Sequence, residues 1–389
     1  MKEVEELIKK TFQSKVKYRT IQEICSITRG RVMSKEYIKN NEGEYSVYSS
    51  QTENDGELGK ISTYDFDGEY LTWTTDGANA GSVFYRNGKF SVTNVCGLLK
   101  VVSNEITTKF LYYILTKEAK KYVNSGMGNP KLMSNVMAKI CIPVPPIEVQ
   151  NEIVRILDNF TELEAELEAE LEARNKQYEY YRNEIIEKFD YKLVKLKDII
   201  LKSSSGGTPL KSNKEFYENG KIPWLRTQDV KFNEIYQINS FITEKAVQCT
   251  SAKWIPENCV IVAISGASAG RCAINKIKTT TNQHCLNMQI DNTKAIYKYV
   301  FYCVCSRYEE LLSMKQGARG DLNSSKILSL KIPLPKIEEQ EKIVSILDKF
   351  DKLCNDISEG LPAEIEARKK QYEYYRDKLL NFKGIDKNE

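Results

Sequence analysis

The sequence predicts an α/β (α+β) chain: two mixed α/β domains in a pseudo-two-fold arrangement, separated by two long helices that form an antiparallel coiled coil. Three observations carry this prediction. The chain repeats itself, and a repeat decides the architecture before any single element does. Ile142 to Leu163 matches Ile332 to Leu353 at 13 of 22 positions with an offset of 190, and Glu172 to Arg182 matches Glu366 to Arg376 at ten of eleven with an offset of 194. The apolar period is helical within these matches and strand-like between them. Finally, 389 residues at 41% hydrophobic and 28% charged are enough for two or three domains with cores.

The repeat divides the chain into an N-terminal helical arm (1–17), a first variable domain (18–141), a first helical region (142–190), a second variable domain (191–331) and a second helical region (332–389). In the variable domains, strand-like stretches such as Ser82 to Tyr85, Cys259 to Ile264 and Leu286 to Ile290 alternate with turn clusters of Gly, Asn and Ser. Helical patterns close each domain, at Phe110 to Leu115 and at Tyr299 to Leu312. A weaker framework repeats in the same order. Thr75 to Gly81 aligns with Ile264 to Gly270, Thr93 to Cys96 with Asn282 to Cys285, and Tyr45 to Gln51 with Ile222 to Gln228. The shared Gly-Ala-x-Ala-Gly lacks the spacing of a phosphate-binding loop and reads as a tight turn between strands.

Each helical region begins with Ile-Pro-x-Pro followed by acidic residues, which suits a helix N-terminus. Ile153, Leu157, Phe160, Leu167, Leu171, Tyr178, Tyr181 and Ile185 then form a seam at spacings of three, four or seven. Ile343, Leu347, Phe350, Ile357, Ile365, Tyr372, Tyr375 and Leu379 repeat it, with an interruption at Gly360 and Pro362. The offset grows by four between the two matches, so the second copy carries about one extra helical turn. The repeated Tyr-Glu-Tyr-Tyr reads as thick core packing, the alternative being that part of it docks a partner.

The net charge of +4 hides a distribution. Residues 1–145 hold 20 Lys and Arg against 16 Asp and Glu, and residues 191–335 hold 21 against 11. Residues 146–190 hold 5 against 13, and residues 336–389 hold 11 against 13. Two basic blocks alternating with two acidic ones fit a chain whose variable domains meet a polyanion. The single histidine, His284, argues against His-based catalysis and multi-His metal sites, and its alignment with Val95 reads as packing. There is no Walker loop and no Asn-Pro-Pro-Tyr or Asp-Pro-Pro-Tyr element; the one Asn-Pro, at Asn129, is followed by Lys131. Cys303 and Cys305 form a C-x-C without a matching pair, so zinc is not expected. The opening residues hold no secretory apolar stretch and no run reaches the roughly 18 residues of a membrane span, so a cytoplasmic chain with reduced thiols is expected.

The elements IPVPPIEVQNEIVRILD and IPLPKIEEQEKIVSILD, the helix EARKKQYEYYRDKLL and the segment Ile222 to Val230 (IPWLRTQDV) strongly resemble the specificity (S) subunit of type I restriction-modification systems. The likeness spans nearly the whole chain. It implies two target recognition domains, each reading one half of a bipartite, asymmetric double-stranded DNA target. It also implies helical regions that set the gap between half-sites and bind two methyltransferase (M) subunits, with restriction (R) subunits joining that core. S-adenosylmethionine would then belong to the methyltransferase subunits and ATP with Mg to the restriction subunits, leaving this chain without catalytic residues, cofactor or metal. Candidate DNA contacts are the polar or basic residues flanking the framework. They are Arg29, Arg31, Ser50, Gln51, Asn79 and Lys131 in the first domain, and Thr208, Arg226, Gln228, Ser268, Arg271 and Arg319 in the second. Candidate partner contacts are Gln150, Arg182, Gln340 and Arg376. A coiled-coil scaffold carrying two protein-binding α/β domains is the alternative.

Overall fold

The computed structural model describes residues 16–126, 128–187, 191–315, 321–355 and 359–382. Nearly all of the expected N-terminal arm, Ile357 of the expected seam and Arg319 lie outside them. The chain forms two compact units, one comprising Met1–Leu167 with Ile365–Glu389 and the other Glu168–Glu364.

The first unit is built on a six-stranded sheet in the order Cys25–Arg29, Cys96–Val101, Phe66–Thr74, Val83–Val92, Glu42–Tyr48, Glu57–Ile61. All neighbours are antiparallel except Glu42–Tyr48, which runs parallel to Val83–Val92. Helix Thr108–Glu118 packs on the sheet, and Phe110, Leu111, Ile114 and Leu115 join Leu71, Trp73 and Leu99 in a fully buried core. Thr107 caps this helix, its hydroxyl accepting from the N–H of Phe110. The same core takes in Ile153 and Leu157 of the long helix and Leu379 of the last one.

The second unit repeats the plan in a five-stranded sheet, Ile200–Ser205, Cys285–Ile290, Val260–Ala263, Cys272–Asn275, Asn233–Ile235. It adds a four-stranded sheet, Phe241–Ile242, Ile222–Leu225, Thr279–Thr281, Trp254–Ile255. Helix Tyr297–Ser306 packs here as Thr108–Glu118 does in the first unit, burying Tyr299, Val300, Cys303 and Val304.

The Ile-Pro-x-Pro segments are not the first turns of helices. Cys141–Val144 and Lys331–Pro333 are strands, paired antiparallel with Lys17–Thr20 and Leu193–Lys195. Proline suits these two-stranded ribbons because each strand has an unpaired edge. The expected boundary at 141/142 falls inside the first of these strands. Helix Ile147–Glu187 follows, 41 residues and about 60 Å long. The second region is interrupted where Gly360 and Pro362 require it, into Ile337–Asn355 and Leu361–Leu379.

Each unit pairs a stretch of one repeat with a stretch of the other. In the first, Phe160 stacks on Tyr375 at 5.7 Å and Glu164 meets Lys369 at 3.3 Å, an antiparallel register. In the second, Phe350 stacks against Tyr178 and Tyr181 at 6.4 and 5.9 Å. The seam departs from expectation at two places. Tyr181 stays 40% exposed, and Ile186 rather than Ile185 is fully buried. Each Tyr-Glu-Tyr-Tyr splits: Tyr178 and Tyr375 are core, whereas Tyr180 and Tyr374 are both 58% exposed.

Candidate nucleic-acid interface

In the first unit the candidate residues other than Arg29, which ends strand Cys25–Arg29, sit on loops that main-chain hydrogen bonds tie into one cluster. The turn Asp76 to Gly81 joins strands Phe66–Thr74 and Val83–Val92. It is closed by Ala80 N–H to Gly77 O and by Gly81 N–H to Thr74 O. The Thr93 N–H donates to Tyr48 O, which brings the Thr93 to Cys96 turn against the start of the Ser49 to Gly56 loop. Side chains add to this. Thr93 donates to Ser49 at 3.0 Å, the Asn79 amide to Thr52 at 2.8 Å, and Thr75 to Val95 O at 2.8 Å. Lys131 bridges to Asp76 and Asn124, and Arg31 to Thr93. Of the six candidates, Arg31, Ser50, Gln51, Asn79 and Lys131 therefore converge.

Not all of them point outward unencumbered. The Gln51 amide donates to Glu57 O within its own loop. Arg31 pairs with Asp65 at 3.0 Å and bonds Tyr37, and those two bonds raise its guanidinium above the usual arginine value. Arg29 donates to Ser134 at 3.1 Å and remains exposed.

Sequence reasoning missed what holds the Ser49 to Gly56 loop. Asn54, Asp55 and Gly56 are consecutively left-handed, at φ 51°, 53° and 79°. Residue types that tolerate that region make the turn possible. Beneath it Arg86, 4% exposed, donates to the Asp55 carboxylate at 2.5 Å and to Asp55 O at 2.6 Å, with Tyr48 stacked at 3.6 Å. A buried Arg on a strand interior signals such an anchor, not a phosphate contact.

The second unit builds a corresponding cluster. Gly270 N–H donates to Ala263 O, Ala269 N–H to Gly266 O, and Asn282 N–H to Leu225 O. These reproduce bond for bond the pattern of Gly81, Ala80 and Thr93. Leu322 N–H to Ile264 O likewise matches Leu132 N–H to Thr75 O. Both clusters need a glycine at one crossing. A Cβ on Gly30 would lie 1.7 Å from Val92 O, and one on Gly206 would lie 1.9 Å from Thr281 O.

What differs is the side chains. Thr208 bonds Gln283, whose amide lies 3.2 Å from His284 Nε2. His284 is thus half-buried in a loop of the cluster, as Val95 is at the aligned position. The Arg226 guanidinium stacks over Trp224 at 5.8 Å, and its Nε is buried without a hydrogen-bond partner. The Arg226 N–H donates to Asp229 at 2.9 Å, shaping a one-turn loop that leaves Gln228 exposed. Ser268 and Arg271 close the Gly266 turn through Arg271 N–H to Ser268 O.

The helix candidates fare differently. Gln150 and Gln340 are both fully buried, which corrects their assignment as partner contacts. Gln150 accepts from Thr107 N–H at 3.0 Å and donates to Glu105 O and Pro145 O at 2.7 and 2.8 Å. Gln340 accepts from Ile296 N–H at 2.9 Å and donates to Pro335 O at 2.8 Å. A primary amide offers both a donor and an acceptor, so it satisfies opposed main-chain groups inside the fold. Arg182 and Arg376 are half-buried, each lying over the tyrosine one turn back, Tyr178 and Tyr372, at 5.6 Å.

Two polar loop clusters on basic domains can do one kind of work. Amide, hydroxyl and guanidinium groups match base edges, and lysines and arginines match phosphates. Among the described residues no three His, Cys, Asp or Glu side chains converge as metal ligands, and no helix is long and apolar enough to cross a membrane.

Comparison with known proteins agrees with this geometry. The family model of the type I restriction modification DNA specificity domain matches residues 13–173 and 189–367. A putative type I specificity subunit of Mycoplasma pneumoniae is 36% identical over 376 residues, covering 93% of this chain and 96% of that one. The specificity subunit of a type I restriction enzyme of Escherichia coli is 39% identical over 292 residues, 72% of each chain. In fold, the S subunit of a type I restriction-modification system from M. genitalium superposes with a TM-score of 0.59 at 16% identity, over 95% of this chain and 97% of that one. A chain from a structural study of complex assembly and conformational transition in the type I R-M system gives 0.63 at 16% identity, over 94% and 97%. The duplicated loop clusters, the repeated helical regions and these matches place the chain in the type I restriction-modification DNA specificity family.

Proposed function

We propose that this chain is the DNA-reading subunit of a type I restriction-modification enzyme, in which each loop cluster reads one half of a bipartite target. The observation that carries this reading is the duplication itself. The main-chain bonds of the two clusters coincide, whereas the side chains they present differ: Ser49 against Arg226, Asn79 against Ser268, Val95 against His284. A shared scaffold with divergent tips is what two different half-sites require. Arg29, Arg31, Ser50, Gln51, Asn79 and Lys131 serve one half-site; Thr208, Arg226, Gln228, Ser268, Arg271 and Arg319 serve the other. Lysines and arginines contact phosphates, and the arginine, amide and hydroxyl groups at the loop tips select bases.

The helical regions set the gap between half-sites and dock methyltransferase subunits, two per chain, through faces around Arg182 and Arg376. Methyl transfer from S-adenosylmethionine belongs to those subunits and ATP hydrolysis to restriction subunits. The test is to express the chain with its methyltransferase subunit and map methylated adenines genome-wide by long-read sequencing. One bipartite motif is expected. Exchange of residues 18–141 for another recognition domain should change one half only, and a change in both halves would refute the modular reading. Absence of specific DNA binding by the complex at moderate salt would sink the function.

A further inference from the structure

We infer that Asp158 and Asp348, together with Gln150 and Gln340, are positioning residues: each Gln–Asp pair is a two-point joint that locks a recognition domain to its spacer helix and thereby sharpens discrimination between gap lengths. This rests on the function proposed above. In the first unit, Asp158 accepts from Lys109 Nζ at 2.5 Å and from the Tyr113 hydroxyl at 2.7 Å. In the second, Asp348 accepts from Lys298 Nζ at 2.9 Å and from the Tyr302 hydroxyl at 2.5 Å. The partners sit alike on the domain helices, Lys109 and Tyr113 on Thr108–Glu118, Lys298 and Tyr302 on Tyr297–Ser306.

Eight residues before each aspartate stands the buried glutamine, bonded to the main chain just ahead of the same domain helix, at Thr107 and at Ile296. Eight residues are about 12 Å of helix. The apolar contacts between these helices supply the cohesion but are not themselves directional. Two hydrogen-bonded anchors about 12 Å apart add directional constraints on offset and angle. That the same four-residue device occurs in both units, while the reading loops differ, separates it from the half-site chemistry. The second joint has one more member, since Lys298 also meets Glu234 of strand Asn233–Ile235 at 3.3 Å. Burial pulls the Lys298 ammonium down, but Asp348 and Glu234 together hold it above the usual lysine value.

The test uses the complex with methyltransferase subunits and competition binding to duplexes carrying the mapped target with its own gap, or with the gap changed by one base pair either way. The Asp158→Ala/Asp348→Ala variant should lose roughly threefold to tenfold of the preference for the native gap. The penalty for a base change inside either half-site should stay as in the wild type. Tyr113→Phe/Tyr302→Phe, which removes one bond per joint and keeps the ring, should lose part of that preference and decides the matter if the aspartate variant does not fold. An unchanged gap preference in a folded variant, or a uniform loss of affinity for all duplexes, overturns the inference. A wild-type complex that binds its target but ignores gap length overturns it as well. A wild-type complex without specific binding instead overturns the function on which it rests.

Discussion

Replacing Gln150 by alanine tests whether that residue is an internal tie or a surface for a partner. The structure makes the cost calculable. Gln150 is fully buried and makes three bonds, all to main chain. Its removal leaves the Thr107 N–H without an acceptor, which costs about 1 to 3 kcal/mol for a buried donor. The carbonyls of Glu105 and Pro145 each lose a donor, and the vacated volume adds roughly 1 kcal/mol. Together the loss should be about 3 kcal/mol. Trp73 is the one tryptophan of the first unit, the others being Trp224 and Trp254 in the second. In a Trp224→Phe/Trp254→Phe background its fluorescence therefore reports the first unit alone during urea unfolding. A stability loss below about 0.5 kcal/mol, inside the range of ordinary surface substitutions, would refute the assignment. So would weakened methyltransferase binding with stability intact.

Three further outcomes follow from the same structure. All ten cysteines are free and only Cys141 and Cys249 are exposed, so a thiol reagent should find two fast groups in the native protein and ten after denaturation; a third fast thiol would show that a core opens. Burial pushes the thiols of Cys25, Cys96, Cys259 and Cys303 up to about 12. Because the folded chain holds these protons to higher pH than the unfolded chain, their contribution is fully present below about pH 9 and falls above it, by up to about 1.4 kcal/mol per pH unit for each thiol. A urea midpoint that stays flat from pH 8.5 to 10.5 would contradict this. Gly206→Ala must push its new Cβ against the Thr281 carbonyl, and Gly30→Ala against that of Val92, so each should destabilise its unit by on the order of 3 kcal/mol; near-wild-type unfolding would refute the crossing.

The repeat made much of the fold legible, because near-identical segments must fold alike. The helix break at Gly360 and Pro362 and the tight Gly-Ala-x-Ala-Gly turns followed from local chemistry that tertiary context does not override. The Ile-Pro-x-Pro strands were not legible, since their pairing partners, Lys17–Thr20 and Leu193–Lys195, lie more than a hundred residues away in sequence. For the same reason Gln150 and Gln340 looked like repeated polar surface. A buried glutamine and an exposed one have the same spacing, and what satisfies them is main chain from another element. Arg86 shows the converse difficulty, a basic residue in a basic domain that is spent beneath a loop. Tyr180 and Tyr374 were separable from Tyr178 and Tyr375 only once the helix pairing was known.

The two units separate the residues that make each domain fold from those its loop tips expose. The main-chain bonds at Thr74, Gly77 and Tyr48 recur at Ala263, Gly266 and Leu225, and the crossings at Gly30 and Gly206 recur with them. None of these bonds involves a side chain, so the scaffold does not constrain what the loop tips carry. The tip positions themselves, such as Asn79 and Gln228, are exposed and make few stabilising contacts, so substitutions there should change stability by less than about 0.5 kcal/mol. If these loops read DNA as proposed, their tips can change without a stability penalty, provided the frame and the helix joints stay as they are. A change at Arg86 has no such freedom, because its guanidinium holds Asp55 and the left-handed turn from below. Among the basic residues of these domains, burial rather than charge decides which arginines stay exposed.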